Sequence, residues 1–274
     1  PRELGRSIQS MSQSTLIVTI LGSGGSPGVP MPGCACDVCH STDPLDQRTR
    51  CSALLSYAER NVLIDMATDL RQQALREQLQ KIDAVLLTHT HADHLHGIDD
   101  LRPFNRHVDG PIPIYAAAPD IVHLQRVFPY IFTDDLGEGY RPQLETRCFA
   151  GPFMLFGEQI VPIPLQHGRG MSYGFRLGSF AYLTDCSAIP KASYKLLSGV
   201  TTLVIDGLRF RPHITHFNVP EAVVAAKRIG AEQTWLTHLN HEISHQRHGR
   251  QLPPGVAFAY DGLQIQLPIN TGLS

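Results

Sequence analysis

The chain of 274 residues carries little charge of either sign. Lys plus Arg is 23 and Asp plus Glu is 25, for a net charge of −2, and charged residues make up 18% against roughly 25% in an average domain. A general nucleic-acid binder shows a basic excess that is missing here, and no long Lys/Arg-rich insertion offers an arm for gripping RNA. No apolar run approaches the ~18 residues of a membrane span. The opening stretch PRELGRSIQSMSQST lacks the apolar core of a secretory signal. Residues 1–13 read as a disordered leader or a cloning remnant, with Met11 as a candidate start, and residues 14–274 as a single domain. No linker-like or low-complexity stretch divides that domain. Hydrophobic residues, at 42%, rule out disorder and allow a sizeable core.

What is present is a regular supply of short strands. Apolar and β-branched runs occur at 15–21, 52–57, 62–65, 84–88 and 112–115, and again at 159–164, 173–177, 179–184, 202–206, 233–237 and 264–266. Helical patterns at 69–80, 119–127, 190–197 and 218–229 lie between them. The last has Asn218 as N-cap, Pro220 and Glu221 in its first turn, and Gly230 at its end. Segment 134–147 reads as a long surface loop. The pattern restarts near residue 150, which predicts two β-rich halves covered by helices. The expected fold class is α/β (α+β), in a four-layer αββα sandwich.

The densest chemistry follows the 84–88 strand, where His89-Thr90-His91-Ala92-Asp93-His94 places four metal-competent side chains in six residues. Imidazole and carboxylate are the usual ligands of zinc and related divalent ions. His89 and His91, two apart in extended backbone, point the same way. Asp93 and His94 fall where the chain turns toward a helix and aim elsewhere, so one loop can feed two adjacent metal positions. His167, Asp185 and His238 each follow an apolar strand run, where α/β sites collect their residues. They complete a two-metal set of five His and two Asp.

This constellation resembles the metallo-β-lactamase superfamily, and the resemblance covers nearly the whole chain. It implies that His89, His91 and His167 hold one metal, that Asp93, His94 and His238 hold the other, and that Asp185 bridges both. It also matches Asp65 to a carboxylate that orients a ligand histidine, a role that metal-bound imidazoles require. Zn, Mn or Fe suits such N/O donors.

Three of the six cysteines, Cys34, Cys36 and Cys39, lie within one turn. A disulfide framework needs spread partners and an oxidising compartment. This clustering instead reads as a zinc loop at 33–40 in a reducing, cytoplasmic setting, with three of the four ligands of a structural zinc. The Gly-Cys-x-Cys-x-x-Cys loop, after Gly22-Ser23-Gly24-Gly25 and Pro27-Gly28-Val29-Pro30, resembles the PhnP-like phosphodiesterases associated with bacterial phosphonate breakdown. The resemblance implies His241 as the fourth zinc ligand, ahead of His40 and His245. PqqB-like proteins share a related cysteine loop but usually lack the full histidine set.

Two adjacent divalent ions acidify water toward a pKa of ~7 and neutralise charge on phosphoryl oxygens, which suits an anionic phosphodiester. The leaving oxygen needs a partner. His216, just before the 218–229 helix, matches the catalytic histidine of the PhnP-like group, with His213 as its rival. Arg169, Tyr173, Arg209 and Arg211 are candidate substrate contacts, since Arg suits phosphate recognition and the family's substrate is a ribose cyclic phosphate with a further 5-phosphate. The expected activity is therefore a dinuclear phosphodiesterase on a small cyclic phosphodiester. The expected cofactors are two catalytic divalent metals and one structural zinc. No nucleic-acid or membrane partner is expected, and the resemblance points to a homodimer. Thioester hydrolysis, tRNA 3′ processing and a non-catalytic metal-binding role remain as alternatives. Lactam cleavage is disfavoured, because lactam-cleaving members commonly place Cys where Asp185 stands.

Overall fold

The apolar run at 15–21 forms the body of β1 (Ser14–Gly22) in the computed structural model, which describes residues 14–133 and 141–269. It is followed by β2 (Ser52–Tyr57), β3 (Arg60–Ile64), β4 (Ala84–Leu86), β5 (Ile112–Ala116) and β6 (Leu144–Cys148). A second set comprises β7 (Phe153–Leu155), β8 (Glu158–His167), β9 (Gly170–Leu177), β10 (Phe180–Leu183), β11 (Thr202–Asp206), β12 (Gln233–Thr237) and β13 (Val256–Phe258). Strand β14 (Gln264–Ile269) returns to the first set and pairs with β1. The leader at 1–13 and the 134–140 part of the expected surface loop lie outside the described residues.

The two sheets run β14-β1-β2-β3-β4-β5-β6 and β7-β8-β9-β10-β11-β12-β13. In each, the first three pairings are antiparallel and the last three parallel. The restart near residue 150 is thus a repeat of connectivity, with β14 filling in the first sheet the place that β7 fills in the second. Strands β3 and β10 stand at the switch from antiparallel to parallel pairing. Each is followed by an aspartate with positive φ, Asp65 at 62° and Asp185 at 54°. His238, after β12, has φ 58°. A non-glycine residue in this region costs of order 1–3 kcal/mol and persists only where its surroundings hold it.

Alternation within the strands builds the layers. Leu16, Val18 and Ile20 of β1 face Phe175, Phe180 and Tyr182 of the second sheet in the core between the sheets. Leu21, Leu54 and Leu63 face outward to a second core. That core is covered by α1 (Leu70–Arg76), by a 3-10 stretch at Ile98–His107, and by α3 (Ala118–Val127). Two single-turn helices, α2 (Ala92–Leu95) and α4 (Pro129–Phe132), flank α3 in sequence. On the other side, α5 (Lys191–Leu196) and α6 (Val219–Ile229) cover the second sheet, and α7 (His245–Gly249) follows β12. The molecule is an αββα sandwich, two mixed sheets with helices on both outer faces, as the sequence pattern predicts.

Local signals explain where the elements end. In α6, Asn218 Oδ1 accepts from the Glu221 amide at 2.9 Å and Glu221 Oε2 accepts from the Asn218 amide at 3.0 Å, a reciprocal cap. Gly230, at φ 88°, closes it. The expected helix over 69–80 stops at Arg76, because Gln78 turns left-handed at φ 53° and the Leu79 amide returns to the Ala74 carbonyl at 2.9 Å. The expected surface loop also needs correction. Residues 144–147 are not loop but part of β6, a sheet-edge strand whose partly exposed residues show no apolar alternation. Pro162 and Pro164 fit inside β8 because β7 reaches only to Ile160, leaving that edge without a strand to donate to among the described residues.

Candidate metal centre and active site

The strand ends of both sheets meet at one rim. Strand β4 leads through Thr88 into His89 and His91, and α2 carries Asp93 and His94 in a single turn. His167 is the last residue of β8, Asp185 follows β10 and His238 follows β12. His89, Asp93, His94, His167, Asp185 and His238 are all buried, while His91 is exposed at the mouth.

Asp185 divides the set. Its Oδ1 lies 3.2 Å from His94 Nε2 and 3.3 Å from His238 Nε2. Its Oδ2 lies 3.6 Å from His89 Nε2 and 3.8 Å from His167 Nε2. Asp93 Oδ2 sits 3.5 Å from His94 Nε2 and 3.6 Å from His238 Nε2, and His91 Nδ1 lies 3.3 Å from His167 Nε2. Most of these separations are too long for good hydrogen bonds. They match the roughly 3.3–3.6 Å between donors on a tetrahedral ion with ~2.0–2.2 Å bonds. Among the described residues, the buried Nε2 atoms of His89, His94 and His238 and Oδ2 of Asp93 have no hydrogen-bond partner, an arrangement too costly to leave without a ligand. The donors therefore fit two divalent ions sharing Asp185.

The opposite ring nitrogens are anchored. His94 Nδ1 donates to Asp65 Oδ2 at 2.7 Å. Thr88 donates its amide to Asp65 Oδ1 and its hydroxyl to Oδ2, both at 2.8 Å, so Thr88 Oγ1 can accept from His89 Nδ1 at 3.0 Å. His167 Nδ1 donates to the Thr215 carbonyl at 2.7 Å. Each anchor fixes a tautomer that leaves Nε2 as a lone-pair donor. Gly168, at φ 60°, makes the turn after His167 close against Thr215, where an added Cβ would come within 2.6 Å of Thr215 Cγ2. His238 Nδ1 has no such anchor among the described residues; Gly25 packs against its ring instead.

Electrostatics follow from burial and crowding. Burial alone would raise Asp185, but the neighbouring His238 and His94 outweigh it and hold the carboxyl well below its usual range. Burial and the His94 charge keep His89 neutral, its pKa well below that of a free imidazole. For His238, burial pulls down but Asp185 and Asp93 prevail, raising it to about 10 in the metal-free site.

His216 stands beside this cluster. It is buried, its ring stacks on His238 at 4.6 Å, and its Nδ1 donates to Asp206 Oδ2 at 2.7 Å. Asp206, the last residue of β11, also accepts from the Cys186 amide at 2.9 Å. His213 is exposed and accepts from its own loop through Thr215.

The cysteine loop forms a separate cluster. Cys34 Sγ and Cys36 Sγ lie 3.3 and 3.4 Å from His241 Nδ1, and with Cys39 the four donor atoms lie within 4.8 Å of one another. The Cys39 amide and His241 hold the Cys36 thiol down to about 6, while burial lifts Cys39 to about 11. Three sulfurs and one imidazole are a donor set of structural zinc. His40 is exposed, and His245 packs on Phe258 and Tyr260 while its amide donates to Asp46. Neither joins the cluster.

A family model described as Beta-lactamase superfamily domain matches residues 60–239. The chain belongs to the metallo-β-lactamase superfamily. The crystal structure of a diphosphatase from the PhnP family is similar at 42% identity and a TM-score of 0.87, over 93% of this chain and 98% of that one. An octanoyltransferase of Porphyromonas gingivalis is 38% identical over 251 residues, 89% of this chain but 50% of that protein. The chain thus spans half the length of that relative. A probable metallo-hydrolase of Bacillus subtilis, YhfI, is 29% identical over 177 residues, 59% of this chain and 68% of that protein. The fold of this superfamily implies a divalent-metal site, and these His and Asp residues are its candidate donors.

The candidate substrate residues of this superfamily member are more dispersed. Arg169 is exposed on the β8–β9 turn. Tyr173 is half-buried beside the histidine loop, its amide donating to the Thr88 carbonyl and its ring packing on Phe149. Arg209 and Arg211 both pair with Glu242, at 3.3 and 2.6 Å. The Arg211 hydrogen bonds are the main cause that holds Glu242 down to about 2. These arginines brace the 208–218 loop against the segment carrying His241. Asp206, Thr88 and the Thr215 carbonyl are the site groups that the sequence did not reveal. Only the strand-end position of Asp206 marked it, the same signal that marked Asp185.

Proposed function

We propose that the chain is a dinuclear metal-dependent phosphodiesterase that opens a small cyclic phosphodiester. The observation that carries this reading is the division of Asp185 between two donor sets with the Asp206–His216 pair alongside. His89, His91 and His167 would hold one ion and Asp93, His94 and His238 the other, Asp185 serving both. Cys34, Cys36, Cys39 and His241 would hold a structural zinc. When bound, the catalytic pair, zinc or manganese, supplies positive charge for the phosphoryl oxygens and acidifies water. Asp65, Thr88 and the Thr215 carbonyl keep the imidazoles in the required tautomers. His216, oriented by Asp206, hands a proton from Nε2 to the departing ester oxygen. Arg169, on the turn after His167, and Tyr173, beside the histidine loop, would offer a cationic and a hydroxyl group to a second phosphate.

The PhnP-family diphosphatase favours a second reading, in which the bond cut is the P–O–P link of a diphosphate diester. The octanoyltransferase name belongs to a protein of which this chain spans half, so acyl transfer is not carried over to this chain. The working setting is proposed to be cytoplasmic, with a small anionic substrate, no nucleic acid, and a homodimer as the assembly.

The test is turnover of the metal-loaded protein on five substrates: bis(p-nitrophenyl) phosphate, a 5-phosphorylated ribose 1,2-cyclic phosphate, a dinucleoside diphosphate, a glutathione thioester and nitrocefin. The cyclic phosphate should give the highest kcat/KM. Preference for the diphosphate supports the second reading, and preference for the thioester or the lactam rejects both.

A further inference from the structure

Beneath the shared carboxylate lies a buried polar group that the proposed chemistry does not use. Cys51, just before β2, is fully buried. Its Sγ is 3.1 Å from the Tyr182 hydroxyl, 3.3 Å from Thr237 Oγ1 and 3.6 Å from Thr184 Oγ1. Thr184 Oγ1 is in turn 3.0 Å from Asp185 Oδ1. All three hydroxyls are buried and come from the second sheet, while the thiol comes from the first. The network therefore crosses the seam between the sheets directly under the site.

Its proton directions are determined. An ionised carboxylate only accepts, so the Thr184 hydroxyl donates to Asp185 Oδ1. With that one proton committed, Thr184 Oγ1 meets Cys51 as an acceptor, and the thiol gives it the S–H. The sulfur then accepts from the hydroxyls of Tyr182 and Thr237, whose protons have no other partner among the described residues. Every donor is used once. Hydrogen bonds running in one direction polarise one another in a low-dielectric interior.

We propose that Thr184 and Cys51 are positioning residues, the last links of a one-way hydrogen-bond relay that crosses from the first sheet to the second and fixes the rotamer of Asp185 so that each of its oxygens faces one donor set. The inference rests on Asp185 being shared by two metal positions. Tyr182 and Thr237 orient the sulfur, the sulfur orients Thr184, and Thr184 holds the Oδ1 edge. The left-handed backbone of Asp185, φ 54°, makes such a hold necessary, because a strained residue keeps its geometry only where its contacts over-determine it.

The experiment measures Zn2+ affinity by competition with a chromophoric chelator and, separately, the infrared S–H stretch. Thr184→Val should weaken Zn2+ binding at the catalytic pair about 10–100-fold, as loss of a ligand's supporting contact does, and Thr184→Ser should restore it. Cys51→Ala should weaken it less, and Thr237→Val least. The S–H band, assigned from the difference against Cys51→Ala, should move to higher frequency in Thr184→Val as the thiol loses its acceptor. Unchanged affinity in Thr184→Val with an unmoved band overturns the relay, as does parent affinity in Cys51→Ala. If Thr184→Val does not fold, Cys51→Ala and Thr237→Val decide by the same criteria. Asp185→Asn serves as the control: if it keeps both catalytic ions at parent affinity, the shared-carboxylate reading fails rather than the relay.

Discussion

His216 depends on Asp206 for its orientation. The Asp206 carboxylate is fully buried and holds His216 Nδ1 at 2.7 Å, so the imidazole presents Nε2 alone toward the site. His216→Ala should lower kcat by about 10²–10⁴, the usual worth of a positioned proton donor, with catalytic metal content retained. Asp206→Asn should lower it by roughly 10–10², since an amide orients the ring less firmly. Unchanged turnover in His216→Ala, with metals counted by elemental analysis, removes the role. A pH prediction belongs to His238. Its pKa of about 10 in the metal-free site lies above the ordinary 6.5. The stabilisation from its proton is then fully present below about 6.5 and lost as pH rises through about 10. Chelator-treated protein should melt at falling temperature across that window. Metal-loaded protein should lack this decline, because the ion takes the place of the proton, and scanning calorimetry at stepped pH checks both. At this scale the sequence was legible where chemistry is locally dense. His89 through His94 declare themselves within six residues. Asp206, Thr88 and Cys51 do not, since each is an isolated polar residue whose partner is supplied by another strand.

The cysteine loop and the exit of β12 are coupled elements. His241 sits three residues beyond His238, and Gly24 bridges to Leu239 between them. Arg48, buried and paired with Asp46 at 2.9 Å, also donates to the Asn240 carbonyl. A zinc held by Cys34, Cys36, Cys39 and His241 would therefore secure the segment that carries His238. Cys36→Ser should remove one chelator-resistant metal per chain and leave the other ligand set intact. The expected cost of about 2–3 kcal/mol corresponds to a Tm lower by roughly 4–12 °C, read by elemental analysis and thermal melting. Loss of all metal would show that the clusters are not separate sites. Elements were legible in proportion to their end signals. The 218–229 helix carries Asn218, Glu221 and Gly230, and it forms over nearly that range. The 69–80 pattern has no such stop, and its early end rests on Gln78, a residue with no special liking for the left-handed region. Strand β6, with sequence LETRC, escaped notice because its Arg147–Glu145 pair faces solvent at the sheet end.

Across the whole molecule, the candidate metal positions lie between two copies of one connectivity. His89, His91, Asp93 and His94 come from the first repeat, and His167, Asp185 and His238 from the second. Each position draws on both repeats, since even the mainly first-repeat histidines face an oxygen of Asp185. Metal binding would thus be linked to keeping the repeats in register, beyond the local folding of either. An ion that binds only the folded chain stabilises it by RT ln(1 + [L]/Kd), about 2.7 kcal/mol at a hundredfold excess over Kd. For a chain of this size that is about 5–10 °C in Tm. A Zn2+ or Mn2+ titration of chelator-treated protein should raise a single melting transition by that amount without changing the urea m-value, because the surface exposed on unfolding stays the same. Hydrogen exchange should slow on both sides of the seam together, at the ends of β4, β8, β10 and β12. If protection rises on one sheet only, or if melting splits into two transitions of which one ignores the metal, the ions belong to one repeat and the shared site is wrong.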